Sequence, residues 1–153
     1  MKIYIAGPLF TDGERNFNAS LAKLIREKTH DVFLPQELSI DFDNPTWQRD
    51  TFRENVRHID NSRLVIAVLD GAICDDGTSW EIGYAYANYK YIIGLRTDFR
   101  QAGPEGIVNL MLGESVNEIC KSYQEVLDAV DNYVKQMGDK KPLADIFDNL
   151  IHN

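Results

Sequence analysis

The chain has 153 residues, 44% of them hydrophobic and 26% charged, and a formal net charge of −8. That balance is typical of one globular domain with its own core, and it excludes a disordered chain. An acidic surface argues against a nucleic-acid or anionic-membrane partner held through backbone phosphates or lipid headgroups, but leaves room for a small uncharged nucleoside.

In chain order, Ile3 to Ala6 reads as a short buried strand ended by Gly7-Pro8. Thr11-x-x-Glu14 can close a capping box at the start of a helix whose apolar stripe runs through Phe17, Leu21, Leu24, Ile25 and Lys28. Val32-Phe33-Leu34 is a second strand closed by Pro35, and residues 36–44 form an acidic irregular loop. Asn44-Pro45 signals the next helix start, with Phe52, Val56 and Ile59 on its buried face. Leu64 to Leu69 shows no alternation, which predicts a strand buried on both faces of a parallel sheet. A helix from Thr78 to about Asn88 and a strand at Tyr91–Leu95 follow, then a charged loop over 96–106. A short helix around Val108–Leu112 and a last strand near Glu118–Cys120 come next. Ser122-x-x-Glu125 opens a long helix with Val126, Leu127, Val130, Tyr133, Val134 and Met137 inward and Gly138 as its stop. A final amphipathic helix spans Leu143 to Ile151. Alternating strands and helices around one sheet predict a single doubly wound α/β domain over 1–153, flavodoxin-like, with about five parallel strands and an extra C-terminal helix.

The fold alone cannot name an activity, and several familiar sites are missing. There is no GxxxxGK[ST] loop, no GxGxxG after the first strand, no GxSxG elbow and no HExxH. His30, His58 and His152 are scattered, so neither a metal site nor a cofactor is expected. Two cysteines, Cys74 and Cys120, make no disulfide framework. The apolar stretch Met1–Phe10 is short, interrupted by Gly7-Pro8 and without a cleavage pattern, and no run approaches the ~18 apolar residues of a membrane span. The expectation is a cytoplasmic protein.

Carboxylates at strand ends remain. Asp70, Asp75 and Asp76 follow the third strand, Glu81 lies in the first turn of the helix behind it, and Tyr4 is in the first strand. A helix N-terminus favours an ionised and therefore nucleophilic carboxylate. Two carboxylates bracketing a sugar are also how a glycosyl bond is broken through a covalent intermediate. The same residues have a plainer reading. Thr78-x-x-Glu81 fits a capping box in which the glutamate only folds back on the cap amide, and Asp75 and Asp76 fit a solvated, capping loop.

Four blocks resemble the nucleoside 2-deoxyribosyltransferase family. They are Ile3–Asp12, the helix leading into Ser62–Ile66, the stretch Gly77-Thr78-Ser79-Trp80-Glu81-Ile82-Gly83-Tyr84-Ala85, and Val108-Asn109-Leu110-Met111. The third is the specific one, and the tail from about Leu143 is not covered. The resemblance implies exchange of the base of a 2′-deoxynucleoside by double displacement, with Glu81 as nucleophile and no cofactor. It implies Asp75 and Tyr4 as further catalytic residues, and Gly7, Phe10, Asn55, Asp76, Gly77, Asn109 and Met111 as substrate-binding ones. The partners implied are a deoxynucleoside and a free nucleobase, in a homo-oligomer whose active sites are completed by Asn109 and Met111 of a neighbouring subunit.

One position departs from the family pattern: Asn55 stands where an aspartate is usual, and an amide cannot donate a proton as an acid. Protonation of the leaving base then falls to Asp75 or Asp76. A related class hydrolyses deoxynucleoside 5′-monophosphates, but the matching positions, Pro8, Phe10, Asp75 and Asn109, offer no cation. Asp75 beside a phosphate costs ~1–4 kcal/mol at contact distance, which favours free nucleosides. N-glycoside hydrolysis and a non-catalytic nucleoside-binding module are the alternatives.

Overall fold

The computed structural model describes residues 1–101 and 106–139. Five strands, β1 (Lys2–Ala6), β2 (Asp31–Phe33), β3 (Leu64–Val68), β4 (Tyr91–Leu95) and β5 (Glu118–Cys120), form one all-parallel sheet in the order β2-β1-β3-β4-β5. Helices α1 (Asp12–Glu27), α2 (Trp47–Asn61), α3 (Asp76–Ala87), α4 (Leu110–Ser115) and α5 (Tyr123–Asp139) connect and cover it, and a 3-10 turn occupies Pro35–Glu37. The doubly wound, flavodoxin-like expectation holds. In this strand order the chain reverses direction across the sheet between β1 and β3, and the crevice beyond their carboxyl ends is where such folds take ligands.

Successive strand residues point to opposite faces, which divides the core in two. Ile3, Ile5, Ile66, Val68 and Leu95 pack with Leu21 and Ile25 of α1 and Val126 and Val130 of α5. Tyr4, Ala6, Val65, Ala67 and Ile92 pack on the other face with Ile59 of α2 and Ile82 and Ala85 of α3. All five residues of β3 are buried, as its unbroken apolar run predicts. Each fully buried Leu or Ile here contributes ~1.5–3 kcal/mol, and α2 and α3 are thereby pressed onto the strand that carries Tyr4.

Several local expectations change. The helix expected at Thr78 begins at Asp76 with Asp75 as its N-cap, so Glu81 lies in the second turn and not the first. The cap moves because an aspartate side chain reaches back to the Thr78 amide more readily than a buried threonine can turn outward. Helix α2 starts at Trp47 after Thr46; Asn44 instead accepts from the Thr46 amide in a turn just before it. Phe52, expected in the core, is 52% exposed and meets the edge of Trp80 with ring centroids 5.2 Å apart. In α5, Val134 and Met137 are exposed, and the helix continues through Gly138 to Asp139. The short helix near Val108 begins at Leu110 with Asn109 as its cap. The expected helix at Leu143–Ile151 lies outside the described residues. No helix among those described is long and apolar enough to cross a membrane.

Candidate active site

Tyr4 is fully buried in β1, and its ring stacks on Phe33 of β2, which in turn stacks on His58 of α2. Its hydroxyl donates to Glu81 Oε1 at 2.5 Å. That bond joins residues 77 apart in sequence, across the face of the sheet from β1 to α3. Glu81 therefore does not fold back on a cap amide, and the capping-box reading of Thr78-x-x-Glu81 fails. Asp75 does the capping: its Oδ2 accepts from the Thr78 amide at 2.8 Å and the Thr78 hydroxyl at 3.0 Å. Thr78 is buried and spends its hydroxyl on that bond.

Burial pushes the Glu81 carboxyl up to about 7; the Tyr4 hydroxyl bond opposes the rise and the negative charge of Asp75 adds to it. Tyr4 is held well above the ordinary phenol range, by burial first and then by the charge of Glu81. The expectation that a helix N-terminus keeps Glu81 readily ionised is thus corrected. One turn further along, desolvation outweighs the dipole, whose effect fades within the first turn. The result is a poised carboxyl with a fixed hydroxyl donor, an arrangement concentrated at functional sites.

The other expected residues fall in two groups. Around the strand ends, Gly7 lets β1 approach β3 and α1: a Cβ there would lie 3.1 Å from Asn18 Oδ1 and 3.2 Å from Val68 Cβ. Gly77 plays the same part at the cap, where a Cβ would lie 3.2 Å from Asp75 Oδ2. Phe10 is 72% exposed on the loop after β1. Asp76 is exposed and accepts from the Gly77 amide. Asn55 lies on α2 between Phe52, which touches Trp80, and Ile59, which packs in the cluster of Tyr4. Its Oδ1 is buried with no hydrogen-bond partner among the described residues. Asn109 and Met111 form the second group. Asn109 accepts from the Met111 amide at 3.0 Å as the cap of α4, and Met111 is 69% exposed. Both line a cavity of about 540 Å³ with Leu69, Cys74, Ser79 and Arg96, and neither Tyr4 nor Glu81 is in its described lining.

Residues 3–119 match the family model for nucleoside 2-deoxyribosyltransferase. The chain belongs to the nucleoside 2-deoxyribosyltransferase family. The match takes in every site residue named above. A conserved protein from Enterococcus faecalis V583 is 30% identical, with a TM-score of 0.73 over 87% of this chain and 98% of that one. The 2-deoxyribosyltransferase of Bacillus psychrosaccharolyticus is 25% identical, with a TM-score of 0.71 over 82% of this chain and 90% of that one. An uncharacterised protein of Ureaplasma parvum is 28% identical over 90% of this chain and 96% of its own length. The common fold places the family's sheet and helices as they are found here.

Sequence reasoning missed three side chains that organise the loops of this transferase-family site. Arg96, 5% exposed, donates to the carbonyls of Leu69, Gly71 and Arg100 and so ties the loop after β3 to the loop after β4. Asn18 and Arg15 hold the loop after β1. For Asn18 a signal existed: it stands at an apolar-stripe position, three and seven residues before Leu21 and Ile25, where a polar residue must satisfy something buried. Among the described residues no group of His, Cys, Asp and Glu is placed to hold a metal.

Proposed function

We propose that the protein is a nucleoside 2-deoxyribosyltransferase that exchanges the base of 2′-deoxynucleosides by double displacement at Glu81. The observation that carries this reading is the Glu81 carboxyl, withheld from helix capping and held by the buried Tyr4 hydroxyl. With Oε1 occupied by Tyr4, Oε2 attacks the anomeric carbon. The glycosidic C–N bond breaks, its electron pair stays on the base nitrogen, and a proton supplied there completes the neutral base. An acceptor base then attacks the same carbon from the opposite side, displaces the carboxylate and gives up its own proton. Tyr4 keeps the carboxylate fixed and stabilises its charge when it leaves again. Asn55 orients the base by hydrogen bonding, and Asp75, with one oxygen committed to the cap, contacts the sugar or relays the proton.

The partner molecules of this reaction are deoxynucleosides and free bases, in a cytoplasmic salvage setting. Exposed Met111 and the capping Asn109 support a segment offered to a neighbouring copy in a homo-oligomer. Incubation with deoxyinosine and adenine, followed by chromatography, tests the reading. Deoxyadenosine and hypoxanthine are expected in equal amounts. Hypoxanthine with free deoxyribose, at a rate indifferent to adenine, would make the protein an N-glycoside hydrolase. No turnover of any deoxynucleoside would leave only a binding module. For the composite site, mixing inactive Glu81→Ala and Asn109→Ala proteins after subunit exchange is expected to restore activity at hybrid sites.

A further inference from the structure

Side chains of α1 hold five backbone polar atoms of the loop after β1. Asn18 Nδ2 donates to the Pro8 carbonyl at 2.8 Å. Arg15 Nη1 donates to the Leu9 and Phe10 carbonyls, both at 3.0 Å. Glu14 Oε2 accepts from the Phe10 and Thr11 amides at 3.0 and 2.8 Å. Three consecutive carbonyls and two consecutive amides are thus held by three residues on the first two turns of one helix. Behind the loop, Gln36 accepts from Asn18 at 3.4 Å and donates to the Arg15 carbonyl at 2.9 Å, so the clamp itself is braced from the chain after β2.

What this backbone carries is a large apolar side chain left in solvent: Phe10, 72% exposed. A surface loop that only joins β1 to α1 has no need of such rigidity, and water would satisfy its carbonyls equally well. Rigid presentation matters when an aromatic face must be in place before a flat ligand arrives. Stacking affinity is then not spent on ordering the loop. The loop leaves the carboxyl end of β1, the strand that carries Tyr4, at the reversal of strand order, and Phe10 stands four residues beyond Ala6.

We infer that Arg15 is a positioning residue for donor binding: through the Leu9 and Phe10 carbonyls it sets Phe10 as a fixed aromatic face for the nucleoside base. This rests on the transferase reading of the site. Arg15 acts through the loop and not through charge on the substrate. Its guanidinium faces backbone carbonyls and Asp12, which is itself largely exposed. The Asp12 pair is an exposed ion pair of little worth, and the two carbonyl bonds, made by a charged donor, are the ones that matter.

Arg15→Ala is expected to raise KM for deoxynucleoside about tenfold with kcat within about a factor of two, the scale of one or two charge-assisted hydrogen bonds felt through a loop. Arg15→Lys, which keeps a donor within reach of at least one carbonyl, recovers most of that loss, and Asp12→Asn leaves KM unchanged. The decisive measurement is a double-mutant cycle. If Arg15 acts through Phe10, then Arg15→Ala adds almost nothing to KM once Phe10 is already Leu, whereas independent structural damage adds in full. Full additivity, or an unchanged KM in Arg15→Ala, overturns the inference. Amide exchange over residues 7–11 gives a readout free of turnover: it accelerates about tenfold in Arg15→Ala if the clamp is real, and unchanged exchange overturns it. Glu81→Gln in the same assay separates the two claims. Loss of turnover there with normal behaviour of Arg15→Ala sinks this inference alone, whereas persistent turnover in Glu81→Gln sinks the nucleophile reading.

Discussion

The two helices that flank the strand reversal start from the same sequence pattern and end in opposite states. Thr11-x-x-Glu14 at α1 is a completed capping box: Thr11 Oγ1 accepts from the Glu14 amide, and Glu14 returns the bond to the Thr11 amide. Thr78-x-x-Glu81 at α3 has the same spacing and forms no box, because Asp75 has taken the cap three residues earlier. Glu14 is spent on backbone and held below the usual carboxylate range chiefly by its bond to the Thr11 amide. Glu81, among the described residues, takes the Tyr4 hydroxyl as its donor and is pushed up to about 7 by burial. A carboxylate becomes available for chemistry when another residue relieves it of its structural duty. The pattern alone does not say whether that has happened.

Substituting the two glutamates' partners and the glutamates themselves breaks the comparison most sharply. Glu81→Gln preserves shape and the Tyr4 contact, and is expected to lower kcat by on the order of 10⁴ or more, as removal of a nucleophile does. Thr11→Ala, which opens the true box, leaves the chemical step running and costs ~1 kcal/mol of stability. Steady-state kinetics and thermal melts on the two proteins decide it. Near-normal turnover with early melting in Glu81→Gln would return Glu81 to a structural role.

The two carboxyls also predict opposite responses of stability to pH. Glu81 has a native value raised above its unfolded one, so its protonated form favours the native state. Its contribution is full below about 4.5, the ordinary glutamate value, and is lost as pH rises through about 7. Relative to wild type, Glu81→Gln is therefore expected to gain up to ~3 kcal/mol between pH 4.5 and pH 8 in denaturant melts. Glu14 has a lowered native value, so its contribution is present above the unfolded value and is lost as pH falls through the native one. A flat pH difference between wild type and Glu81→Gln would mean that Glu81 ionises normally in the fold. The rate follows the reverse course from stability, rising as Glu81 ionises toward pH 7.

Most of the fold was legible because it rests on local pattern. The unalternating run at Leu64–Val68, the breaker Gly7-Pro8 and the stripe through Leu21 and Ile25 each identify an element without reference to distant parts of the chain. Glu81 was legible through the block around Gly77–Ala85 and Tyr4 through the first-strand block Ile3–Asp12, but their contact was not. It spans β1 to α3 and depends on which strands are neighbours. The state of Glu81 was illegible for the same reason. Position near a helix N-terminus is local and suggested ionisation, whereas burial comes from the packing of α3 on the sheet. Arg96 escaped notice because its partners are backbone carbonyls from two loops, and carbonyls leave no mark in sequence.

A smaller change sharpens the account of Glu81. Tyr4→Phe keeps the ring against Phe33 and removes the bond that favours the charged carboxyl. The Glu81 value is expected to rise further, moving the acid limb of kcat/KM to higher pH and costing about tenfold in rate at pH 7. Asp75→Asn keeps a cap acceptor but removes the charge that adds to the rise, and is expected to move the same limb to lower pH. Shifts of the same sign in the two variants would contradict the arrangement of donor and charge around Glu81.

The smallest expected effect tests the cap itself. If Thr78 were the N-cap and Glu81 its box partner, Thr78→Val would remove the cap, free Glu81 and disturb both stability and the pH profile. In the structure Thr78 is the third residue of α3, buried, and its hydroxyl only adds a 3.0 Å bond to an Asp75 oxygen that already takes the Thr78 amide. Valine fills the same volume, and the amide bond that makes the cap survives. Thr78→Val is therefore expected to cost ~0.5–1.5 kcal/mol, the net worth of one neutral-donor bond, with the pH dependence of kcat/KM unmoved. A melt and a pH–rate series suffice. A shifted acid limb in this variant would tie Glu81 to the Thr78 end of the helix after all, and the contrast with Glu14 would collapse.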